Sequence, residues 1–420
     1  MFRLITSPEQ EEFLQRVGDA AVKLINMENC RRRRLFFEER GIDKSWRSAW
    51  ERRKTEYAEI YETLGSANFH ETCRAISERW QSFAALLKAK KEGKLEPWQQ
   101  VHPPGYRKRG RQRVPIIFVR FDNYEIDLKK KTLRLKYWNV EIPFAGKPRW
   151  LTMRGAKQSR LTITFDDVKK RWYARVSVEV TLEGKRDGSL KAGIDLGREI
   201  LAAVAVEPHG NGEGAALLYR GGPLKADYFY FERRIAEIDR TLSNPKSEEM
   251  DRAVLREEKR KLYDKRRRRR DQLFANAASH LAREFLKLGV STVFVGNLLG
   301  LAREKPGKGN VNLWSYRKLI ARIAITLENY GIAAFEVPEN GTSSTCAWHG
   351  CKVVRKPRGL VKCPFGHVAH ADLNAALNIL KRGFGKVPER VRVRSFVPTA
   401  SKVVPVSEKK KNHNPAPSAG

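Results

Sequence analysis

KAGIDLGREILAAVAVEPHGNGEGAALLYRG, residues 191–221, decides the fold. Within it AGIDLG (192–197), LAAVAVEP (201–208) and ALLYRG (216–221) are three apolar β segments in quick succession, separated by glycine and proline. Asp195 lies inside the first. An ionised carboxylate in an apolar strand is costly unless it is paired or bound to a metal. A satisfied core aspartate or a turn residue explains so short a motif equally well, so its meaning depends on what surrounds it.

Downstream, a long charged helical stretch from about Asp227 to Leu288 is most basic at Lys265, Arg266, Arg267, Arg268, Arg269 and Arg270. STVFVGN (291–297), an amphipathic helix around Leu313–Tyr330, and IAAFEVP (332–338) follow. Three strands, a helix, a strand, a helix and a strand is the order of an RNase H-like fold, a mixed sheet whose parallel strands end at one edge. Trp314 and Tyr316 on the amphipathic helix read as core. Further on, Asp372 precedes an apolar helix in HADLNAALNIL (370–380), where by itself it reads as an N-cap.

Between these elements, Cys346-Ala-Trp-His349-Gly-Cys351 and Cys363-Pro-Phe-Gly-His367 flank a basic hairpin-like stretch, KVVRKPRGLVK. Cysteine and histidine pairs at such spacing are the usual ligands of one tetrahedral structural Zn2+. Cys346, His349, Cys363 and His367 form the preferred set, with Cys351 competing for the place of His349.

Upstream, Ser7, Pro8 and Gln10 mark a helix start, and Phe13, Leu14, Val17, Ala21, Leu24 and Ile25 recur at helical spacing. This helical region runs to about Lys90 with breaks near Gly41 and Gly65. It carries Arg31, Arg32, Arg33 and Arg34, a run that is either a solvated face or a contact for a nucleic-acid backbone. A proline-, glycine- and arginine-rich linker with Arg107, Lys108, Arg109 and Arg111 leads to PIIFVRF (115–121), TLRLKYW (132–138), VEIP (140–143), LTITF (161–165) and WYARVSVEV (172–180). These strands suggest a small β-barrel.

Composition agrees with a polyanion partner. Lysine and arginine number 83 against 48 aspartates and glutamates, a net charge of +35 that repels itself unless nucleic acid sits against it. Charge alone would fit a ribosomal-type basic protein equally well. A hydrophobic content of 41% with nine tryptophans argues against a disordered chain. No run of about 18 apolar residues and no signal-type leader is found, so a soluble protein without membrane partner is expected. The crowding of three of five cysteines between 346 and 363 points to metal ligands in a reducing compartment.

G-I-D-L-G, a long basic helix, a strand, T-S-x-x-C, a knuckle and D-L-N-A-A-L-N-I, in that order, resemble the RuvC region of the TnpB family, transposon-encoded RNA-guided nucleases related to type V CRISPR effectors. The likeness spans about residues 100–381 and is strongest from 191. It implies an α+β multidomain chain: a helical recognition region (1–95), a β-barrel wedge domain (96–190), a RuvC-like core (191–340), a zinc knuckle (341–371), the final RuvC helix (372–383) and a disordered basic tail (384–420). It also implies Asp195 and Asp372 as metal-binding catalytic aspartates, with two Mg2+, one structural Zn2+, a guide RNA and a double-stranded DNA target. A transposase of the same element is a further candidate partner, and the prokaryotic cytoplasm, at the nucleoid, the expected location.

Where members of that family usually carry glutamate after the fourth core strand, this chain has Gly296. Glycine cannot bind metal. A carboxylate after the neighbouring fifth strand can reach nearly the same space, and Glu339 in FEVPENGTSSTC (335–346) stands there, resembling the rearranged site of Fanzor nucleases; Glu336 is the runner-up. The expected activity is Mg2+-dependent DNA cleavage through Asp195, Glu339 and Asp372. The alternatives are a nuclease-dead RNA-guided repressor, which Gly296 would favour, and a non-catalytic transposition accessory protein.

Overall fold

The computed structural model describes residues 1–95, 99–109, 112–152, 155–181, 188–210, 212–244, 249–297, 315–357 and 359–406. Arg111, Trp314 and the tail from 407 lie outside them, and Arg109 is described by its backbone alone. The chain forms two compact units, Met1–Thr181 and Leu182–Gly420.

In the first unit, β1 (Phe2–Leu4) leads into α1 (Pro8–Glu38), which starts on a capping box. The Ser7 hydroxyl accepts from the Gln10 N–H at 3.3 Å, and the Gln10 side chain accepts from the Ser7 N–H at 3.0 Å. After the short α2 (Arg47–Glu51), α3 (Ala58–Lys91) is broken at Gly65, where φ is +72° and the Tyr137 ring leaves no room for a side chain. A small hairpin, β2 (Lys108–Arg109) and β3 (Gln112–Arg113), precedes the barrel strands β4 (Ile116–Val119), β5 (Tyr124–Asp127), β6 (Thr132–Leu135), β7 (Val140–Ala145), β8 (Lys157–Asp166) and β9 (Arg171–Glu179). They form a near-closed sheet in the order β4-β8-β9-β1-β7-β6-β5. The N-terminal strand β1, which has no alternation long enough to read in the sequence, sits between β7 and β9. Helices and barrel share one apolar core: Leu24, Ile25, Phe69 and Trp80 are buried with Ile117, Leu133, Leu161 and Trp172.

The second unit is built on a mixed seven-stranded sheet. Its strands β10 (Leu190–Asp195), β11 (Ile200–Val206) and β12 (Glu213–Arg220) form an antiparallel meander. Next come α4 (Gly222–Leu242) and α5 (Glu249–Leu288), then β13 (Val290–Asn297), α6 (Tyr316–Glu328) and β14 (Ala333–Pro338). β13 is parallel to β10, and β14 to β13, so this part of the sheet runs β12-β11-β10-β13-β14, with the fourth and fifth strands as the parallel neighbours expected. The charged stretch after β12 is two helices rather than one. Arg269 pairs with Asp227 at 2.8 Å, Arg266 with Glu232 and Lys259 with Asp239; partners that fall in number as the other side rises define an antiparallel helical hairpin.

A knuckle hairpin, β15 (Leu360–Lys362) and β16 (Val368–His370), runs directly into α7 (Ala371–Arg382). α7 covers one face of the sheet, with Leu373, Ala376, Leu377 and Leu380 against Ala203, Ala205, Ala216 and Leu218. α5 and α6 cover the other, with Phe274, Phe285, Leu319 and Ile323 against Ala192, Val204, Leu217 and Val293. A Leu or Phe buried in this way contributes about 1.5–3 kcal/mol.

The expected disordered tail from 384 needs correction. Residues 390–405 supply β17 (Arg390–Pro398), parallel to β12, and β18 (Val403–Pro405), antiparallel to β17. Beneath its charge, RVRVRSFVP alternates with the period of two that a strand requires. Phe396 is its anchor, 6% exposed and stacked on Tyr219 with ring centroids 5.4 Å apart.

Candidate active site and metal cluster

Asp195 ends β10 and is 6% exposed. The glycines around it explain the G-I-D-L-G pattern. A Cβ on Gly193 would lie 2.3 Å from the Ala376 carbonyl, so only glycine lets α7 lie directly on the strand; a Cβ on Gly197 would meet the Ile200 carbonyl at 2.8 Å and Asp372 Oδ2 at 3.8 Å. That contact delivers Asp372, in the first turn of α7, to the end of β10. The helix cap is His370, whose ring nitrogen accepts from the Asp372 N–H at 3.3 Å, rather than Asp372 itself. Asp372 instead presents its negative charge at the positive end of the helix.

Glu339 follows β14 immediately. A Cβ on Gly296 would lie 3.1 Å from Glu339 Oε2 and 2.7 Å from Ile379 Cδ1. Glu339 Oε2 is buried and has no hydrogen-bond partner. Burial, and beyond it the neighbouring Asp372, pushes the Glu339 carboxyl up to about 7, although its hydrogen bond with Asp195 and the charge of Arg382 act the other way. Burial first, then Glu339 and Asp372, raise Asp195 well above the usual carboxylate range, with Arg355 opposing. Three acids thus meet where there is too little positive charge for all to ionise. A hard divalent cation answers that deficit and offers Oε2 a partner. Among the described residues the groups of three or more such side chains with ligand atoms within 4.8 Å of one another are cysteine and histidine sets, so the three carboxylates are more widely spaced than those.

Glu336 is aimed elsewhere. It is exposed and accepts from Asn297 Nδ2 at 2.7 Å and Arg317 Nη1 at 3.0 Å. Tyr316, by contrast, belongs to the site rather than only to the core. Its phenol is raised by burial, then by the nearby Glu339 and Asp195. Nothing in the spacing of the amphipathic helix distinguishes this first residue from the apolar ones after it.

Asparagines of D-L-N-A-A-L-N hold the loop between Glu339 and the knuckle. Asn374 donates to the Thr345 carbonyl at 2.8 Å and accepts from the Ala347 N–H at 3.0 Å, while Asn378 donates to the Thr342 and Thr345 carbonyls, each at 2.8 Å. Thr342 is 1% exposed, and its hydroxyl donates to the Glu339 carbonyl at 2.9 Å.

All five knuckle residues gather. Cys346, His349 and His367 form one group with ligand atoms within 4.8 Å of one another, and Cys346, Cys351 and Cys363 form a second. His349 Nδ1 lies 3.2 Å from Cys363 Sγ, and Cys351 Sγ 3.3 Å from the same sulfur. Burial raises the Cys363 thiol, but hydrogen bonds from His349, the Phe365 N–H and the other cysteines bring it down to about 6, toward the thiolate a metal needs. His367 Nδ1 is buried with no hydrogen-bond partner. Soft sulfur and imidazole donors at this density suit a tetrahedral metal such as zinc.

The arginine runs divide. Arg32 is a correction: it is fully buried and donates to Glu28 and to the carbonyls of Asp43 and Ser45, a strut of the helical unit that no phosphate can reach. Arg31 pairs with Glu28 and Asp43, Arg33 bonds the carbonyls of Pro103 and Pro104, and Arg107 bonds that of Val114. Arg34 and Lys108 are exposed. On α5, Lys265 is exposed, Arg267 and Arg268 share the buried Asp264, Arg269 pairs with Asp227, and Arg270 with Asp271 and Ser315. Arg266 pairs with Glu232 against the rings of Tyr228 and Tyr263. No helix among the described residues is long and apolar enough to cross a membrane.

Comparison with known proteins agrees with this architecture. A family profile described as a probable transposase matches residues 173–302, and a Cas12f1-like TNB domain profile matches 316–379. The TnpB-like protein ORF457 of Acidianus two-tailed virus is 39% identical over 431 residues, covering 96% of this chain and 91% of the relative. The CRISPR-associated endodeoxyribonuclease Cas12f1 of an uncultured archaeon is 33% identical over 132 residues, 28% of this chain and 25% of that protein. Among solved structures, a Cas12f1–sgRNA–target DNA complex has the same fold, with a TM-score of 0.56 and 18% identity over 89% of this chain and 83% of that one. With a relative matched along nearly its whole length, the chain belongs to the TnpB/Cas12f-like family of RNA-guided nucleases.

Proposed function

We propose that this protein is the RNA-guided DNA endonuclease of a transposable element, cutting its target at one site formed by Asp195, Glu339 and Asp372. The observation that carries the reading is the Glu339 carboxylate, buried beside Asp195 in the space a side chain at Gly296 would fill. It supports an active nuclease over a dead one, because it returns the third carboxylate that Gly296 removes.

Two Mg2+ ions held by these acids would activate water and stabilise the leaving 3′-oxygen of an in-line phosphodiester displacement. The chain's own part is geometric. Asp195 is fixed by its strand and Asp372 by α7, while Thr342 and the α7 asparagines hold the turn that carries Glu339. A guide RNA would supply sequence recognition by pairing, leaving the protein to bind backbone and a short flanking duplex; Arg34, Lys108 and Lys265 are exposed and suited to phosphate. One Zn2+ in the Cys/His cluster would tie the knuckle to the Glu339 loop. The place of action is the prokaryotic cytoplasm at the nucleoid, and a transposase of the same element is a candidate partner.

The test uses the full chain purified with the RNA it carries. Asp195→Asn and Glu339→Gln should each abolish cleavage of a matching duplex while leaving the RNA bound. Cleavage that survives Glu339→Gln would remove Glu339 from the site. A wild-type chain that binds the duplex through its RNA without cutting it would make the protein a guide-directed repressor, and absence of any defined guide-like RNA would leave the accessory role.

A further inference from the structure

Residues 374, 378 and 382 lie at i, i+4 and i+8, the spacing that lines side chains up on one stripe of a helix. On α7 that stripe reads Asn374, Asn378, Arg382, and each of the three donates to main-chain carbonyls of residues 338–345. The two asparagines hold Thr342 and Thr345. Arg382 is the last rung and the one nearest the chemistry. Its Nη1 donates to the Pro338 carbonyl and its Nη2 to the Asn340 carbonyl, one on each side of Glu339. From the other direction the Thr342 N–H donates at 3.1 Å, and its hydroxyl at 2.9 Å, to the carbonyl of Glu339 itself. Three consecutive carbonyls, 338 to 340, are therefore tied down, and the glutamate keeps little freedom beyond its own side-chain torsions.

We propose that Arg382 is the positioning residue for Glu339: its planar fork spans the two flanking peptides, so that one helix sets both Asp372 at its start and Glu339 through its last turn. This rests on the reading of Glu339 as a metal ligand. Arginine suits the task better than lysine, because two N–H groups in a rigid plane bind two carbonyls at fixed separation, whereas an ammonium is a single point. Bonds from a charged donor are also the stronger ones. Such a link matters more here than for a glutamate built into a strand. Glu339 lies beyond the end of β14, and the described pairing of that strand with β13 ends one residue earlier, at Pro338.

The test compares Arg382→Ala and Arg382→Lys with the wild-type full chain by hydrogen exchange, by Mn2+ binding followed with electron paramagnetic resonance, and by single-turnover cleavage. Arg382→Ala should speed amide exchange of residues 339–342 while leaving the barrel strands of the first unit unchanged. It should weaken Mn2+ binding and slow cleavage, each by about 10–100-fold, the usual cost of losing a group that orients a metal ligand. Target binding should not change, and millimolar guanidinium should restore part of the cleavage rate. Arg382→Lys keeps the charge but not the fork and should fall between. If Arg382→Ala unfolds the unit, Arg382→Lys decides, and exchange and Mn2+ affinity equal to wild type in that variant overturn the proposal. Glu339→Gln separates the two failures: unchanged Mn2+ binding there removes Glu339 as a ligand, whatever Arg382 does to the exchange of its loop.

Discussion

Glu339 Oε2 stands 3.1 Å from where a Cβ on Gly296 would be, although Gly296 pairs with Val337 across β13 and β14 and Glu339 lies just past the end of β14. The two positions therefore compete for one space, and an acidic group can enter it from either strand, but not from both. Gly296→Glu alone should displace Glu339 and impair Mn2+ binding and cleavage. Glu339→Ala should abolish both. The double variant Gly296→Glu, Glu339→Ala should recover a measurable part of each, since the carboxylate then enters from β13 with its rival removed. A double variant as inert as Glu339→Ala would mean that the two sites are not equivalent.

The same crowding predicts how stability responds to pH. Glu339 titrates near 7 in the folded chain against 4.5 as its ordinary value, so the folded state holds a proton that the unfolded chain releases earlier. Stability is then full below about 4.5 and falls as pH rises through about 7, by an amount of order 3 kcal/mol if the whole shift is realised. In magnesium-free buffer the denaturation free energy of the wild type should drop across this window relative to Glu339→Gln, which cannot ionise. Added Mg2+ should flatten the curve. Parallel pH profiles for the two proteins would show that the carboxylate is not strained in this way.

Much of the second unit was legible because its apolar residues carry the period of their elements. The order of strands and helices from 191 to 380 follows from that, and Glu339 followed from asking what could replace a missing carboxylate at Gly296. What stayed hidden was masked by charge. RVRVRSFVP reads as a basic tail when its arginines are counted and as a strand when its alternation is followed, and Phe396 is its only large buried side chain. Arg32 and Arg34 are two residues apart in one run, yet one is a buried strut and the other is exposed; Glu28, four residues before Arg32, is its one partner on the same helix, and the carbonyls of Asp43 and Ser45 that complete the strut lie in another segment of chain. Tyr316 was hidden for the opposite reason, a residue packed against the apolar core whose phenol is raised by burial and then by acids that only the fold brings near.

The knuckle offers five donors to a metal that takes four. Cys346 belongs to both groups of converging ligands, whereas His349 and Cys351 each belong to one. Cys346→Ser should therefore lose bound zinc, measured as metal per chain, while His349→Ala and Cys351→Ser should each retain it with the four remaining donors. Because the Cys346 N–H donates to the Cys351 carbonyl and the next residue is held by Asn374, metal loss should also loosen the Glu339 loop and slow cleavage. Zinc retained at full occupancy in Cys346→Ser would refute the shared-ligand geometry.

Arg32 and Arg34 should part company when each is replaced by alanine. Removing Arg32 strips the fully buried Glu28 carboxylate of one cationic partner, takes the Arg32 donor from the Asp43 carbonyl and leaves the Ser45 carbonyl with only the long bond from the Ser48 hydroxyl. Glu28 keeps Arg31 and Tyr57, so the loss should lie near the lower end for a broken buried pair, about 3 kcal/mol in chemical denaturation. Arg34 is exposed, and its replacement should leave stability within about 0.5 kcal/mol. If Arg34 meets a phosphate, Arg34→Ala should instead weaken RNA binding uniformly across sequences and lower the slope of log affinity against log salt by about 1. Arg32→Ala, judged on the fraction that remains folded, should leave that slope unchanged. A reversed pattern, with Arg32 setting the salt slope and Arg34 the stability, would contradict the burial that separates them.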